Sequence, residues 1–369
     1  MMATLSMWVA VQAVQIGLRT LITDDCTPSE QANANAWASA YSNFAATMAN
    51  LAAYADLLPH SWGANAQGMT VFMKLSLATI LVLTITTTIS CISVKEEQTP
   101  LPECHECHTA KDTSLATTLR INVRLLGEAS QIRTIYLVQF FAWLTWFPFL
   151  YYMVPYVKHV HAIENRGRLY LNASEQPESK IGSLTLLTFS MVAFIGAVGQ
   201  LYLTKVTKSC SIRRMWITSQ GVLGLCLLAT LIISSSTGTI ILFCIVGISW
   251  AASSWIPFAL LAIEISRCES PSIGSRNPLG TRHQLDEEKN AECEAEDISS
   301  AHISGLVYGL HNFAICLPQM LMSFAIGLQS LSSSSKDDAD NKISIVFVLR
   351  IGGCFAVIAM FIARGIRHS

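Results

Sequence analysis

The run YLVQFFAWLTWFPFLYYM, Tyr136 to Met153, holds no charged side chain over 18 residues. As a helix it would rise about 27 Å, close to the ~30 Å thickness of a bilayer's hydrocarbon core. Comparable runs recur at approximately 4–22, 36–58, 69–93, 133–154, 181–203, 214–234, 238–263, 301–328 and 343–363, giving about nine candidate spans. Lipid offers no partner to a free backbone group, so these predict helices rather than open strands. The expected class is an all-α polytopic membrane protein. Charged residues are 13% of the chain, about half the usual share, and mean hydropathy is +0.43. A formal net charge of −1 gives no basis for a nucleic-acid partner. The opening MMATLSMWVAVQAVQIGLRTL lacks a basic leader and bears its one charge, Arg19, at the far end. It reads as a first span, not a cleavable signal.

Two polar segments interrupt the pattern, about 94–132 and about 265–300, both mixing Pro, Gly, Ser and charge. Their composition predicts disorder. With the N-terminus outside and the C-terminus cytosolic, inside loops hold roughly fifteen Lys/Arg against about six outside. The sequon at Asn172 then falls outside, as a glycosylation acceptor, and no cysteine lies in an outside loop. The segment at 94–132 divides the chain into a three-span bundle (1–93), a cytosolic linker and a six-helix bundle (133–369). Six plus six joined by a cytosolic loop is the major facilitator layout. Here the first half is three helices short, a partial N-terminal half beside a complete C-terminal one.

Four segments resemble, in order, the eukaryotic proton-coupled sucrose and α-glucoside transporters of the major facilitator superfamily, akin to glycoside–pentoside–hexuronide:cation symporters. Trp143, Trp146, Phe147, Pro148 and Phe149 match that family's Trp-x-x-Trp-Phe-Pro-Phe in helix seven of twelve. QIGLRTLITDDCTPSEQANANAWAS is similar to helix four, the following loop and the start of helix five. GISWAASSWIPFALLAIEIS resembles helix ten, and SGLVYGLHNFAICLPQM helix eleven, with Gly309, Asn312, Pro318 and Gln319 at its motif positions. The resemblance implies a chain that begins at helix four, without the three helices that would furnish part of a substrate cavity.

A sugar site needs aromatic faces for C–H surfaces and amides or guanidinium groups for hydroxyls. Trp143 and Trp146 are one turn apart and share a face, with Gln139 one turn earlier. The bland alternative is a pair of interfacial anchors. Pro148 is expected to kink the helix. Arg19 in a span faces either a cavity or, by snorkelling, the surface near Asp24 and Asp25. The resemblance implies the cavity, since the family has an essential arginine there. Gln15, about a turn from Gln12, could share its polar face, and Trp255, Asn312 and Gln319 complete the candidate substrate-binding set.

Plant members of the family carry a proton on an aspartate eleven residues before that arginine, where this chain has Trp8. Proton coupling would then use Arg19, Glu264 or His311. The alternatives are a solvated helix-end carboxylate for Glu264 and a structural histidine for His311. Lys74 and Arg350 read as snorkelling side chains. Ala45, Ala49 and Ala53 at i, i+4 and i+8 predict close helix packing. Ala46, where the family tends to have an asparagine, departs from the pattern. Cys104-His-Glu-Cys-His108 matches half a metal site, but no second ligand pair stands at zinc spacing, so no metal or cofactor is expected.

The expected function is transport of sucrose or a related α-glucoside with protons by alternating access, in the plasma membrane, with a vacuolar membrane as alternative. The expected partners are the sugar, protons and the lipid bilayer. A different class stays open: a truncated, non-transporting membrane protein or sugar sensor. No nucleophile and base combine as an enzyme requires.

Overall fold

The structure, a computed structural model, describes residue 10 and the stretches 14–19, 21–22, 26–27, 30–55, 71–93, 130–166, 178–206, 211–269, 306–325, 327–328 and 338–366. Asn172, the Cys104–His108 motif, Trp8 and most of both polar segments lie outside the described residues.

The described residues form helices and short turns. In chain order these are α1 (14–19), α2 (Gln31–Tyr54), α3 (Val71–Ser93), α4 (Ser130–Arg166), α5 (Glu178–Val206), α6 (Ile212–Ala229), α7 (Ser236–Glu269), α8 (306–325) and α9 (Asp338–Ala363). Among the described residues, five helices are long and apolar enough to cross a membrane: α3, α4, α5, α7 and α9. The rest fall short for visible reasons. α6 opens on Arg213 and Arg214, and α2 carries a polar stripe described below.

Local chemistry sets several ends. Before α2, Thr27 and Glu30 form half of a capping box, the Glu30 carboxylate accepting from the Thr27 hydroxyl (2.7 Å) and amide (3.3 Å). Those two bonds hold the exposed Glu30 carboxyl below the usual carboxylate range. At the start of α7, Glu164 accepts from the Ser236 amide (3.0 Å) and hydroxyl (2.6 Å), placing an anion on a helix N-terminus. α4 runs unbroken through Pro148 and Pro155.

Helix α4 packs on α5, α7 and α9, α6 lies between α7 and α9, and α5 packs on α7. Contacts of Tyr136 with Val307 and of Tyr151 with Gln319 run α8 parallel to α4. Gly221 faces Met360 and Gly353 faces Leu227, so α6 and α9 are antiparallel. α2 lies against α5 and α7, and the largely exposed α3 touches α2. The core is apolar and aromatic, with Trp146, Trp216, Trp255, Phe149 and Phe243 fully buried. The outer rim is also apolar: Ile80, Leu81, Ile92, Ile195, Tyr202, Leu225 and Phe361 are all exposed, as a lipid-facing surface requires.

The expected alanine contact on α2 does not form. Ala45 is exposed and Ala49 and Ala53 are only half-buried, while Ala36, Ser39, Ala40, Asn43 and Thr47 face the neighbours. Two positions turn a helix by about 200°, so Ala45 lies across from Asn43. Glycine supplies the close approach instead. A Cβ at Gly247 of α7 would stand 2.7 Å from the Phe189 carbonyl oxygen and 3.0 Å from the Ala193 nitrogen of α5. Backbone atoms cannot swing aside, so Gly247→Ala should destabilise the protein by about 1–3 kcal/mol. Gly199→Ala, with nothing within 4 Å, should not. Thermal unfolding in detergent checks both, and equal midpoints for the two variants would contradict the α5–α7 contact.

Candidate functional site

Arg19 of α1 meets α2 and α7 directly, and a chain of contacts runs on from it to α8 and α4. Its guanidinium donates to the Asn35 amide oxygen (3.0 Å) on α2 and to the Ser254 carbonyl (3.3 Å) on α7, and lies 3.8 Å from the centroid of the Phe258 ring. A guanidinium in a low-dielectric region is stable only if its N–H groups are occupied, and an aromatic face adds a cation–π attraction. The Phe258 ring also meets the His311 imidazole of α8 edge to face at 4.8 Å. His311 Nε2 lies 2.9 Å from Gln139 Nε2 on α4, and Tyr136 packs beside the imidazole while donating its hydroxyl to the Val307 carbonyl (2.7 Å). Gln139 is 1% exposed, and among the described residues its Oε1 has no partner, leaving a desolvated acceptor beside His311. Donors, acceptors, an imidazole and an aromatic ring thereby follow one another along a single chain of contacts, group types that a polyol can use.

Asn35 is held in turn by α2. Gln31, Asn35, Ser39, Asn43 and Thr47 recur every fourth residue and are all buried, a continuous polar stripe. Asn35 donates to the Gln31 carbonyl, Asn43 to the Ser39 carbonyl and Thr47 to the Asn43 carbonyl, each one turn back at 2.8–2.9 Å. Four bonds cross to α5 and α7: Ser39 with the Ser254 hydroxyl and the Ala251 carbonyl (3.5 Å), Thr47 with the Ser190 carbonyl (2.9 Å) and Asn50 with the Leu186 carbonyl (3.4 Å). Ala40, Ala197 and Ala251 close the seam with small side chains.

Of the residues singled out by sequence, the structure gathers Arg19, Gln139 and His311. The others lie in separate settings. Trp146 is fully buried against Phe149 (5.8 Å) and Trp250 (5.0 Å). Half-buried Trp143 packs on Phe147 (4.8 Å) and edge-on to Trp250 (6.2 Å). Trp255 is 1% exposed and donates its indole N–H to Gln200 (2.9 Å). Gln319 donates to the Tyr151 hydroxyl (3.2 Å), Asn312 is half-buried one position beyond His311, and Gln15 is exposed on α1. Glu264 pairs with Arg267 at 2.7 Å, six positions and about 9 Å of helix rise beyond Phe258. Among the described residues, no His/Cys/Asp/Glu group has the geometry to hold a metal ion.

Asn35, Ser254, Phe258 and Trp250 were not singled out in the sequence. For Asn35 a signal existed, the fourfold polar period from Gln31 to Thr47. For Phe258 and Trp250 there was none beyond their place among many aromatics.

No protein-family model matches the chain. The "General alpha-glucoside permease" of Schizosaccharomyces pombe (strain 972 / ATCC 24843) is 25% identical over 449 residues, covering 98% of this chain and 73% of that one. The "MFS-type transporter cctQ" of Talaromyces islandicus is 30% identical over 218 residues, covering 54% of this chain and 77% of that one. Both alignments fall on a helical chain with a lipid-facing rim and a polar centre. This multi-pass membrane protein belongs to the major facilitator superfamily of transporters.

Proposed function

We propose that the chain carries an α-glucoside, sucrose or a relative of it, across the membrane by alternating access coupled to protons. The observation that carries this reading is the chain of contacts that joins Asn35, Arg19, Phe258, His311 and Gln139 of α2, α1, α7, α8 and α4. The likeness to a protein named an alpha-glucoside permease supports the substrate class. Arg19 and Asn35 would address sugar hydroxyls, and Gln139 Oε1 would accept one. Trp143, half-buried at the edge of the aromatic cluster, is the tryptophan best placed to meet a pyranose face, while Trp146 and Trp255 would brace it from the core. Gln15, Asn312 and Gln319 would then line the approach. His311, beside Gln139 and near Arg19 across the Phe258 ring, is the preferred proton carrier over Glu264, whose carboxylate is engaged by Arg267. In this reading 1–93 is one moving unit and 133–369 the other, joined through a cytosolic linker, with the N-terminus outside, the C-terminus cytosolic and the plasma membrane as host.

The test is uptake of labelled sucrose and maltose by cells that lack their own carriers. Arg19→Ala should lower uptake on the order of tenfold to a hundredfold, the worth of one charge-assisted hydrogen bond, and Gln139→Ala by about two- to tenfold. Leu225→Ala, on the lipid face, should change nothing. His311→Asn should abolish the stimulation of uptake by external acid. Sugar binding without uptake would favour the sensor reading, and absence of both in the unaltered chain would reject both.

Motion is tested separately at the alanine seam. Cysteines replacing Ala40 and Ala197, in a chain freed of its own cysteines, should cross-link, and uptake should stop until a reductant is added. Full uptake by the cross-linked protein would exclude rocking at that seam.

A further inference from the structure

A second polar feature lies away from the Arg19 cluster, where the end of α4, the α6–α7 turn and α9 enclose a cavity of about 190 Å³. We propose that this pocket holds the phosphodiester headgroup of a membrane phospholipid, with Arg350 as its ion-pair partner.

Arg350 stands five residues inside the apolar stretch Ile345–Ala363. It donates one N–H to the Thr230 carbonyl (3.2 Å) at the C-terminus of α6, a favourable site for a cation. That contact uses one of five donors, and among the described residues the buried Nε has no partner. Among the described residues, no carboxylate lies within ion-pair distance of Arg350. The carboxylate on the same end of α4, Glu164, is bonded to Ser236 at the head of α7. An arginine inside a span is costly unless an anion or carbonyls surround it, and one carbonyl leaves most of its donors unmatched.

The lining describes the missing anion. Tyr156, His159 and Ser234 add hydroxyl and imidazole groups to the same cavity. A planar guanidinium pairs with phosphate oxygens through parallel N–H bonds, and the Ser234 hydroxyl suits a remaining oxygen, while the Tyr156 hydroxyl donates to the Thr230 carbonyl (3.5 Å). The other side is apolar, with Val346, Ile163 and Leu231, the last two more than half exposed on the outer surface of the helices. That surface meets acyl chains in a membrane. A free phosphate would match only the polar end, whereas a phospholipid matches both.

The experiment uses the full chain purified in mild detergent. Native mass spectrometry reads retained phospholipid, and thermal unfolding after delipidation reads the effect of adding phosphatidylglycerol, phosphatidylcholine, diacylglycerol or inorganic phosphate. The unaltered protein should retain phospholipid and gain stability from either phospholipid but not from diacylglycerol. Arg350→Gln should lower retention about tenfold or more, as loss of a charge-assisted pair implies, and Arg350→Lys should keep part of it. Val346→Trp fills the cavity without removing the arginine and should also expel the lipid, which decides the matter should Arg350→Gln fail to fold. Equal retention by the unaltered and Val346→Trp proteins overturns the proposal. Stabilisation by inorganic phosphate as large as by phospholipid overturns the lipid assignment in favour of a soluble anion. An equal effect of diacylglycerol reduces the site to an apolar groove.

Discussion

A guanidinium held among apolar helices constrains everything around it, because each N–H removed from water must be answered by a protein group. Arg19 is answered by Asn35, by the Ser254 carbonyl and by the face of Phe258. None of these belongs to its own helix, so α1 is tied to α2 and α7 at one point. The demand then propagates. Asn35 must be oriented to accept, and its own N–H is engaged by Gln31 one turn back. Phe258 must present its ring, and the same ring borders His311, which in turn borders Gln139. Contacts of 3–5 Å thus relate a cation on α1 to an amide on α4. The relation runs through an aromatic ring and an imidazole rather than a chain of ion pairs.

The stripe on α2 solves a related problem differently. Asn35, Asn43 and Thr47 each bond a carbonyl of their own helix, so most of the seam's polar capacity is met without reference to α5 or α7. Such bonds are satisfied whether or not the neighbour is in contact. Ser39, Thr47 and Asn50 reach across to α5 and α7. A seam built from self-satisfied polar groups and small side chains adheres without a large desolvation penalty for parting, in contrast to a seam made of cross-helix ion pairs.

Much of the fold was legible because the bilayer imposes length and hydropathy on each span. The apolar runs at 69–93, 133–154, 181–203, 238–263 and 343–363 all coincide with helices long and apolar enough to cross. α2 was expected as a helix over 36–58 and is one over Gln31–Tyr54, but the face it buries was misjudged. The alanines at 45, 49 and 53 offered an i, i+4 pattern, and the polar residues from Gln31 to Thr47 offered another on nearly the opposite face. The rule that small residues mark contacts favoured the first. The burial of polar groups away from lipid decided for the second. At the site, Arg19, Gln139 and His311 could each be noticed in the sequence for a separate reason. Their meeting could not, since Gln139 and His311 are 172 positions apart. The tryptophans illustrate the converse. Their spacing put Trp143 and Trp146 a turn apart, but it could not show Trp250 packed edge-on against both.

The close contacts also rank the interfaces by how readily they can part. At α5–α7, the α7 backbone at Gly247 approaches that of α5 so nearly that even a methyl group would collide with main-chain atoms. At α6–α9, a Cβ on Gly224 would lie 2.9 Å from Val357 and 3.1 Å from the Gly353 carbonyl. Surfaces interlocked at backbone distance lose many dispersion contacts at once when separated by a fraction of an ångström. The α2 seam meets through small alanine side chains instead, and its cross-helix hydrogen bonds can exchange partners. Relative motion of packed helices should therefore concentrate at α2, while α5 with α7 and α6 with α9 move as blocks. Arg19 is bonded on both sides of that seam, to Asn35 on α2 and to Ser254 on α7. A ligand that competes for its N–H groups would therefore loosen the seam at the point where it binds.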